Sequence, residues 1–217
     1  MKYLALTLVA LVAALFIRKA LRYKTLYPFL PKKYNFGKRR DTLRETLSLL
    51  EERGAKTLVE TGVARHGLDK CKGDGASTIV FAIWSKANNA NLYSVDIDPD
   101  AIATAQQTLE QMGLQNVVEL QTSDSVAYLR TFNQPVDLLY LDSYDYHKSD
   151  TSIQQASQKH HLEEFRAIED KLHDDSIVLI DDCNMPAGGK GKLVIEYMLT
   201  KDWRMHLFDY QALLVRS

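Results

Sequence analysis

Cysteine is scarce in this chain: Cys71 and Cys183 are the only two among 217 residues, they lie far apart, and no C-x-x-C pair exists. That excludes a disulfide framework and a thiolate zinc site, and it suits a reducing compartment. An excess of charge of either sign is also missing. Lys and Arg number 27 against 28 Asp and Glu, for a net charge of -1, so nothing draws the whole protein toward nucleic acid or another polyanion, and no nucleic-acid partner is expected. Internal repeats and low-complexity tracts are absent too. A chain of this length then reads as one compact domain with a sizeable core.

The charge that is present is unevenly spread. Between Arg18 and Arg40 there are nine basic residues and no acidic one, a basic collar on a slightly acidic protein. It follows an uncharged apolar run, Tyr3 to Ile17. At about 1.5 Å per residue that run spans roughly 22 Å, short of a hydrocarbon core of about 30 Å. Leu21, Tyr23 and snorkelling Arg18 and Lys19 could extend it. Three readings compete: an uncleaved anchor, a signal peptide and an interfacial helix. The run passes straight into Arg18-Lys19 without a small-x-small cleavage site, and the basic excess on its far side keeps the following domain in the cytoplasm. The expectation is therefore a membrane anchor over 1–24, a basic linker over 25–40 broken by Pro28 and Pro31, and a globular domain over 41–217.

From Asp41 the pattern turns globular. Asp41 can cap a helix running to about Arg53, with Leu43, Leu47 and Leu50 on one stripe and Gly54 at its end. Strands are then predicted near 56–61, 91–96, 117–121, 136–142, 176–181, 203–209 and 212–216. Helices fall near 77–87, 99–112, 124–131, 152–172 and 189–200. This alternation builds an α/β fold, a mostly parallel seven-stranded sheet covered by helices through right-handed crossovers. The last two strands, separated by Tyr210-Gln211, form an antiparallel hairpin.

Three of these strands end in carboxylates: Thr57-Leu58-Val59-Glu60-Thr61-Gly62, Tyr93-Ser94-Val95-Asp96-Ile97-Asp98 and Leu138-Leu139-Tyr140-Leu141-Asp142. Ligands of open parallel sheets sit outside the carboxyl ends of the strands, so these ends describe a crevice for a nucleotide-type cofactor. Asp96 stands where a carboxylate accepts hydrogen bonds from ribose hydroxyls. Asp98, before Pro99, serves equally as a helix cap, and so does Asp124.

Taken together, the seven strands with a terminal hairpin, the acidic residue and glycine after strand one, the acidic end of strand two and Asp142 after strand four resemble the class I S-adenosylmethionine-dependent methyltransferases, with their Rossmann-like fold. The resemblance covers about residues 41–217. It implies that Glu60, Thr61 and Gly62 pass under the methionine part of the cofactor, that Gly75 and Ser77 belong to the cofactor loop, that Asp96, Ile97 and Asp98 meet the ribose and adenine, and that Asp124 and Ser125 contact the adenine. The chain departs from compact members by inserting residues 65–72, read as a flap.

At strand five, Ile180-Asp181-Asp182-Cys183-Asn184 places more carboxylates beside Asp142. Asp142, Asp181 and Asp182 would gather hard oxygen ligands suited to magnesium or calcium. This resembles the metal-dependent O-methyltransferases, above all the macrocin and sugar O-methyltransferase group with its cephalosporin-hydroxylase-like relatives. Either Asp182 or Asn184 is then the third ligand. The resemblance implies a divalent-cation-assisted O-methyltransferase acting from the cytoplasmic face on a hydroxyl of a small molecule, glycan or lipid-linked intermediate. Candidate general bases are His160, His161, His147 and Asp145, with Asp142 fixing the acceptor. Adjacent helical residues point about 100° apart, so one of His160 and His161 is expected to face the site. Tyr144 and Tyr146 could frame the acceptor pocket, and Gly188-Gly189-Lys190-Gly191 reads as a flexible turn into the last helix. Other chemistry on the same cofactor, N-methylation or aminopropyl transfer, and a non-catalytic scaffold are the alternatives.

Overall fold

A computed structural model describes residues 9–14 and 36–217. Residues 9–14 are helical, with Val9, Leu11 and Val12 exposed. The rest of the apolar run, the basic collar up to Asn35 and the proline-bearing linker lie outside the described residues. Among those described, no helix is long and apolar enough to cross a membrane.

The strands are β1 (Thr57–Thr61), β2 (Asn91–Asp96), β3 (Val118–Thr122), β4 (Val136–Leu141), β5 (Leu172–Ile180), β6 (Trp203–Phe208) and β7 (Ala212–Arg216). They form one sheet in the order β3-β2-β1-β4-β5-β7-β6. All neighbours are parallel except β7, which runs antiparallel to both β5 and β6. The helices are α1 (Arg40–Glu52), α2 (Cys71–Asp74), α3 (Ser77–Asn88), α4 (Pro99–Gln111), α5 (Ser125–Thr131), α6 (Thr151–Ile168) and α7 (Lys192–Met198).

Period-two alternation divides the core into two layers. Leu58, Leu92, Leu138, Tyr140 and Leu179 point to one face, against Leu43, Leu47 and Leu50 of α1 and Ile79, Val80 and Phe81 of α3. Val59, Leu139, Leu141, Val178 and Ile180 point to the other, against Phe165 and Ile168 of α6 and Val194 and Met198 of α7. Among the described residues, packing of the domain begins at Phe36, which is buried in the first layer, five residues ahead of the expected start at Asp41.

Two elements differ from expectation. The helix expected over 152–172 ends at Ile168, passes through one 3-10 turn, and gives way at Leu172 to a strand longer than foreseen. The added length is irregular, with the β4–β5 register slipping between Val136 and Leu138. Ser176 holds that irregularity, its hydroxyl accepting from the His173 amide and donating to the Val136 carbonyl. The insert at 65–72 leads into short α2, where Cys71 is buried and His66 pairs with Asp74 at 2.8 Å.

The strand order reverses between β1 and β4, the switch point where open α/β sheets take their ligands. Gly62 lies there with φ +83°, and a Cβ on it would stand 2.6 Å from the Asp142 carbonyl oxygen. Glycine is therefore required where the ends of β1 and β4 touch.

Candidate active site

A cavity of about 250 Å³ opens beyond β2, lined by Val95, Asp96, Ile97, Asp124, Ser125, Ser143, Tyr144 and His160. Asp96 stands at its edge. One of its oxygens accepts the Val63 amide at 3.0 Å and the other the Asp98 amide at 2.9 Å, so the carboxylate is oriented by the loops after β1 and β2. Ile97 is 72% exposed, an uncovered apolar side chain on the cavity wall. Tyr144, also lining the cavity, lies against His160, ring centres 5.4 Å apart. His160 Nε2 is 3.0 Å from Ser125 Oγ and 3.3 Å from buried Glu164. Burial lowers the His160 pKa, but the hydrogen bond and charge of Glu164 outweigh it, and the net shift is upward. Ser143 donates to the same Glu164 oxygen at 2.6 Å.

The second half of the site is a charged centre at the ends of β4 and β5. Leu141 pairs with Ile180, and the Asp181 amide donates to the Leu141 carbonyl, so Asp142 and Asp181 follow neighbouring, in-register strands and stand side by side. Asp182 comes next in the left-handed conformation, φ +51°, which turns its side chain to the same point. Oxygens of all three carboxylates lie within 4.8 Å of one another. Two cations enter among them. Arg39 is buried, bonded by Nε to both oxygens of Asp181 at 2.9 Å and by Nη2 to one of them at 2.6 Å. Its Nη1 donates to the Gly73 carbonyl, and the guanidinium lies over the Tyr210 ring. Lys190 reaches Asp142 Oδ1 at 2.5 Å and Asp182 Oδ2 at 3.4 Å. Behind Asp142 a chain of donors runs back to α1: Thr42 donates to Gln211, Gln211 to the Tyr140 hydroxyl, and Tyr140 to Asp142 Oδ2.

The electrostatics follow from burial. Burial and the neighbouring Asp181 push Asp142 well above the carboxylate range against the pull of Lys190. For Asp181, burial acts in the same direction but is outweighed by the charge and hydrogen bonds of Arg39, so its pKa is lowered. Burial works against the Lys190 ammonium, yet the three carboxylates overcome it and its pKa rises.

Residues 72–183, slightly more than half of the chain, match the family described as "Methyltransferase domain". This chain belongs to that methyltransferase family. The fold is also shared with solved structures. An SAH-bound methyltransferase of Podospora anserina is 14% identical, with 93% of this chain and 87% of that one covered at a TM-score of 0.60. An O-methyltransferase from Bacillus cereus in complex with SAH is 15% identical, with 81% and 80% covered at 0.57. A methyltransferase from Geobacter sulfurreducens is 15% identical, with 99% and 94% covered at 0.55. No curated protein matches the sequence. The seven-stranded class I architecture is thus the one this methyltransferase has.

Around the cavity the methyltransferase gathers Asp96, Ile97, Asp124, Ser125 and His160. Asp98 and Asp124 both act as helix caps, accepting from the amides of Asp100 and Ala127, while Asp124 also lines the cavity. Glu60 is buried away from it: its carboxylate accepts from the hydroxyls of Ser77, Thr78 and Ser94 at 2.5 to 2.7 Å, tying β1 to α3 and β2. Burial outweighs those three bonds and pushes its pKa up to about 7. Ser77 is spent on this link. Thr61 is buried beneath Asp142, whose amide faces its hydroxyl at 3.4 Å. Gly75, with φ +106°, lies against the Arg39 stem.

Of the proposed bases, His160 alone lines the cavity. His161 is buried, its Nδ1–H donating to the Ser157 carbonyl at 2.7 Å, and burial lowers its pKa to about 4. Asp145 is exposed and paired with Arg65 at 2.8 Å. His147 Nδ1 accepts the Asp150 amide at 3.0 Å and shapes its own loop. Asn184 is exposed and outside the acidic group. Tyr146 donates to the Pro186 carbonyl at 2.6 Å, joining two loops.

Sequence reasoning missed both cations. Arg39 was counted in the basic collar and Lys190 in a flexible turn. The glycines there are packing devices: a Cβ on Gly189 would run into the Asp182 carbonyl, and one on Gly191 would stand 2.5 Å from Cys183 Sγ. The collision pattern, not mobility, explains the Gly-Gly-Lys-Gly run, because it lets the chain press on the Asp182–Cys183 turn and send Lys190 inward. These cations also bear on the expectation of a divalent ion: the three carboxylates are a donor set of the right chemistry, and Arg39 and Lys190 already stand against them with positive charge.

Proposed function

We propose that this methyltransferase uses S-adenosylmethionine to methylate a hydroxyl oxygen of a small molecule, glycan or lipid-linked acceptor. The observation that carries the reading is the adjacency, at one sheet edge, of the Asp96–Ile97 cavity and the buried Asp142–Lys190 pair. The cavity residues fit the adenosine half of that cofactor: an oriented carboxylate for ribose hydroxyls and an uncovered apolar side chain for the adenine face. When bound, it supplies a methyl group on a positively charged sulfur, which keeps the electron pair of the broken bond as the acceptor oxygen's pair forms the new one.

The protein's part is to orient and to move one proton. Asp142, at the end of β4 and directly before the cavity-lining Ser143 and Tyr144, is placed to accept the acceptor's hydroxyl proton in its ionised form. Lys190 stabilises the negative charge that develops on that oxygen. Ser143 and Tyr144 follow Asp142 directly and carry the cavity wall to the reacting point, so the same segment positions both reactants. Support from relatives is the O-methyltransferase of Bacillus cereus, which shares the fold.

The apolar run and its basic flank support a second element of the reading, a membrane tether that holds the domain at the cytoplasmic face. Protease protection in sealed vesicles tests it, since a domain shielded inside them refutes that orientation. Calorimetric titration of S-adenosylmethionine into wild-type and Asp96→Ala protein tests the cofactor. Micromolar binding by the wild type, weakened in the variant, is expected; no binding by a folded wild type refutes the proposal.

A further inference from the structure

Each of the six carboxylate oxygens of the strand-end centre has a donor or a cationic nitrogen within 3.5 Å. Asp181 gives both of its oxygens to Arg39. Asp142 receives Lys190 on Oδ1 and the Tyr140 hydroxyl on Oδ2, the latter at 3.3 Å. Asp182 faces Arg39 at 3.5 Å with one oxygen and Lys190 at 3.4 Å with the other. Lys190 is 2% exposed, and its Nζ also lies 3.5 Å from the Asp142 carbonyl oxygen, so the ammonium stands between Asp142 and Asp182.

Its placement is built in. Lys190 is delivered by the two glycines that press against the Asp182–Cys183 turn, and its amide faces the Asp182 carbonyl at 3.3 Å. Charge balance points the same way. Even with all three carboxylates ionised, Arg39 and Lys190 leave only one negative charge, and adding a dication would give the centre a net positive charge, which burial disfavours. Both cations lie outside the segment 72–183 matched to the methyltransferase family, whereas all three acids lie inside it.

We propose that Lys190 is the resident cation of this centre, holding the place of a divalent metal ion, and that the methyltransferase works without one. Lys190 is a positioning residue: it fixes the Asp142 carboxyl and supplies the positive field at the acceptor oxygen. That role rests on the methyl-transfer reading, but exclusion of the ion does not.

The test is Mn²⁺ binding to the full-length protein, followed by the electron paramagnetic resonance signal of the free ion, for wild type, Lys190→Met and Lys190→Arg. Circular dichroism checks the fold of each. The wild type and Lys190→Arg are expected to leave millimolar Mn²⁺ free. Lys190→Met should take up one ion per chain, tighter by about a hundredfold or more, the scale of one unit charge at about 4 Å in a protein interior. If Lys190→Met does not fold, Lys190→Gln replaces it. Stoichiometric binding by the wild type that Asp142→Asn abolishes overturns the proposal. So does a folded Lys190→Met or Lys190→Gln protein that still excludes Mn²⁺. S-adenosylmethionine affinity measured on the same wild-type sample reports separately on the methyl-transfer reading.

Discussion

Replacing Arg39 with methionine should be among the most damaging single changes outside the apolar core. The guanidinium is 5% exposed, bonds both oxygens of fully buried Asp181, and lies 4.8 Å from the centre of the Tyr210 ring. Methionine keeps most of the stem but leaves Asp181 as an uncompensated buried charge, a loss of about 3–5 kcal/mol. With a urea slope at the upper end of about 1–3 kcal/mol/M, the midpoint should fall by about 1–2 M. The pH dependence should also invert. In the wild type the Asp181 pKa is lowered, so its contribution is present above the unfolded pKa and lost as pH falls through the folded one. In Arg39→Met, burial, the largest of the causes, is opposed only by Lys190 and the Asp142 hydrogen bond and raises that pKa, so the variant should gain stability as pH falls through the carboxylate range. Asp181→Asn added to Arg39→Met removes the stranded charge, and the double variant should be more stable than Arg39→Met alone. The measurement is urea unfolding by fluorescence at several pH values. A loss below about 1 kcal/mol, the scale of a surface pair, or a double variant less stable than the single, would refute the reasoning.

Other outcomes follow from the same contacts. Asp96→Ala should weaken S-adenosylmethionine by about tenfold or more, the scale of losing charge-assisted hydrogen bonds, with the domain still folded by circular dichroism; unaltered affinity in calorimetry would remove Asp96 from the ribose site. Gly62→Ala forces a Cβ to within 2.6 Å of the Asp142 carbonyl at φ +83° and should cost at least about 1 kcal/mol while lowering turnover through displacement of Asp142; a wild-type unfolding midpoint would show that this contact yields freely. Because the folded pKa of Glu60 is raised to about 7, its contribution is complete below the unfolded value and is lost as pH rises toward and through about 7. Glu60→Gln should therefore flatten the stability profile over that window, and an unchanged slope in pH-dependent unfolding would assign it to another group.

The sheet was legible because each strand carries its own signal. Runs such as Leu138-Leu139-Tyr140-Leu141 are buried on both faces, as a central parallel strand must be, and the observed β4 is Val136–Leu141. The cap at Asp98 and the Asp-Ser start at 124–125 marked helices to within a residue. Where the reading slipped, at the junction of α6 and β5, the signal is weak: Asp174 and Asp175 are polar and exposed, and the strand bulges through them between the Leu172–Val136 and Ile177–Leu138 pairs, tied by the Ser176 hydroxyl.

The site divides the same way. Carboxylates at strand ends can be read because topology alone brings the ends of β1, β2, β4 and β5 to one edge, and that is why Asp96, Asp142 and Asp181 were found. Their counter-charges cannot be read so, since Arg39 is 142 residues from Asp181 and Lys190 reaches Asp142 across 48, and nothing in local periodicity records either pairing. One clue was nonetheless physical. Three converging acids in a low-dielectric interior repel one another enough to demand positive charge, and a buried centre can obtain it from an ion or from the chain. The sequence supplies the second source in Gly188-Gly189-Lys190-Gly191, where small residues flank a lysine just after the acids and leave room for the backbone to approach them. A glycine-flanked lysine following a strand-end Asp-Asp pair is therefore a signal worth weighing against metal coordination in this architecture: flexibility explains the glycines alone, but only close packing explains why a lysine between them is buried.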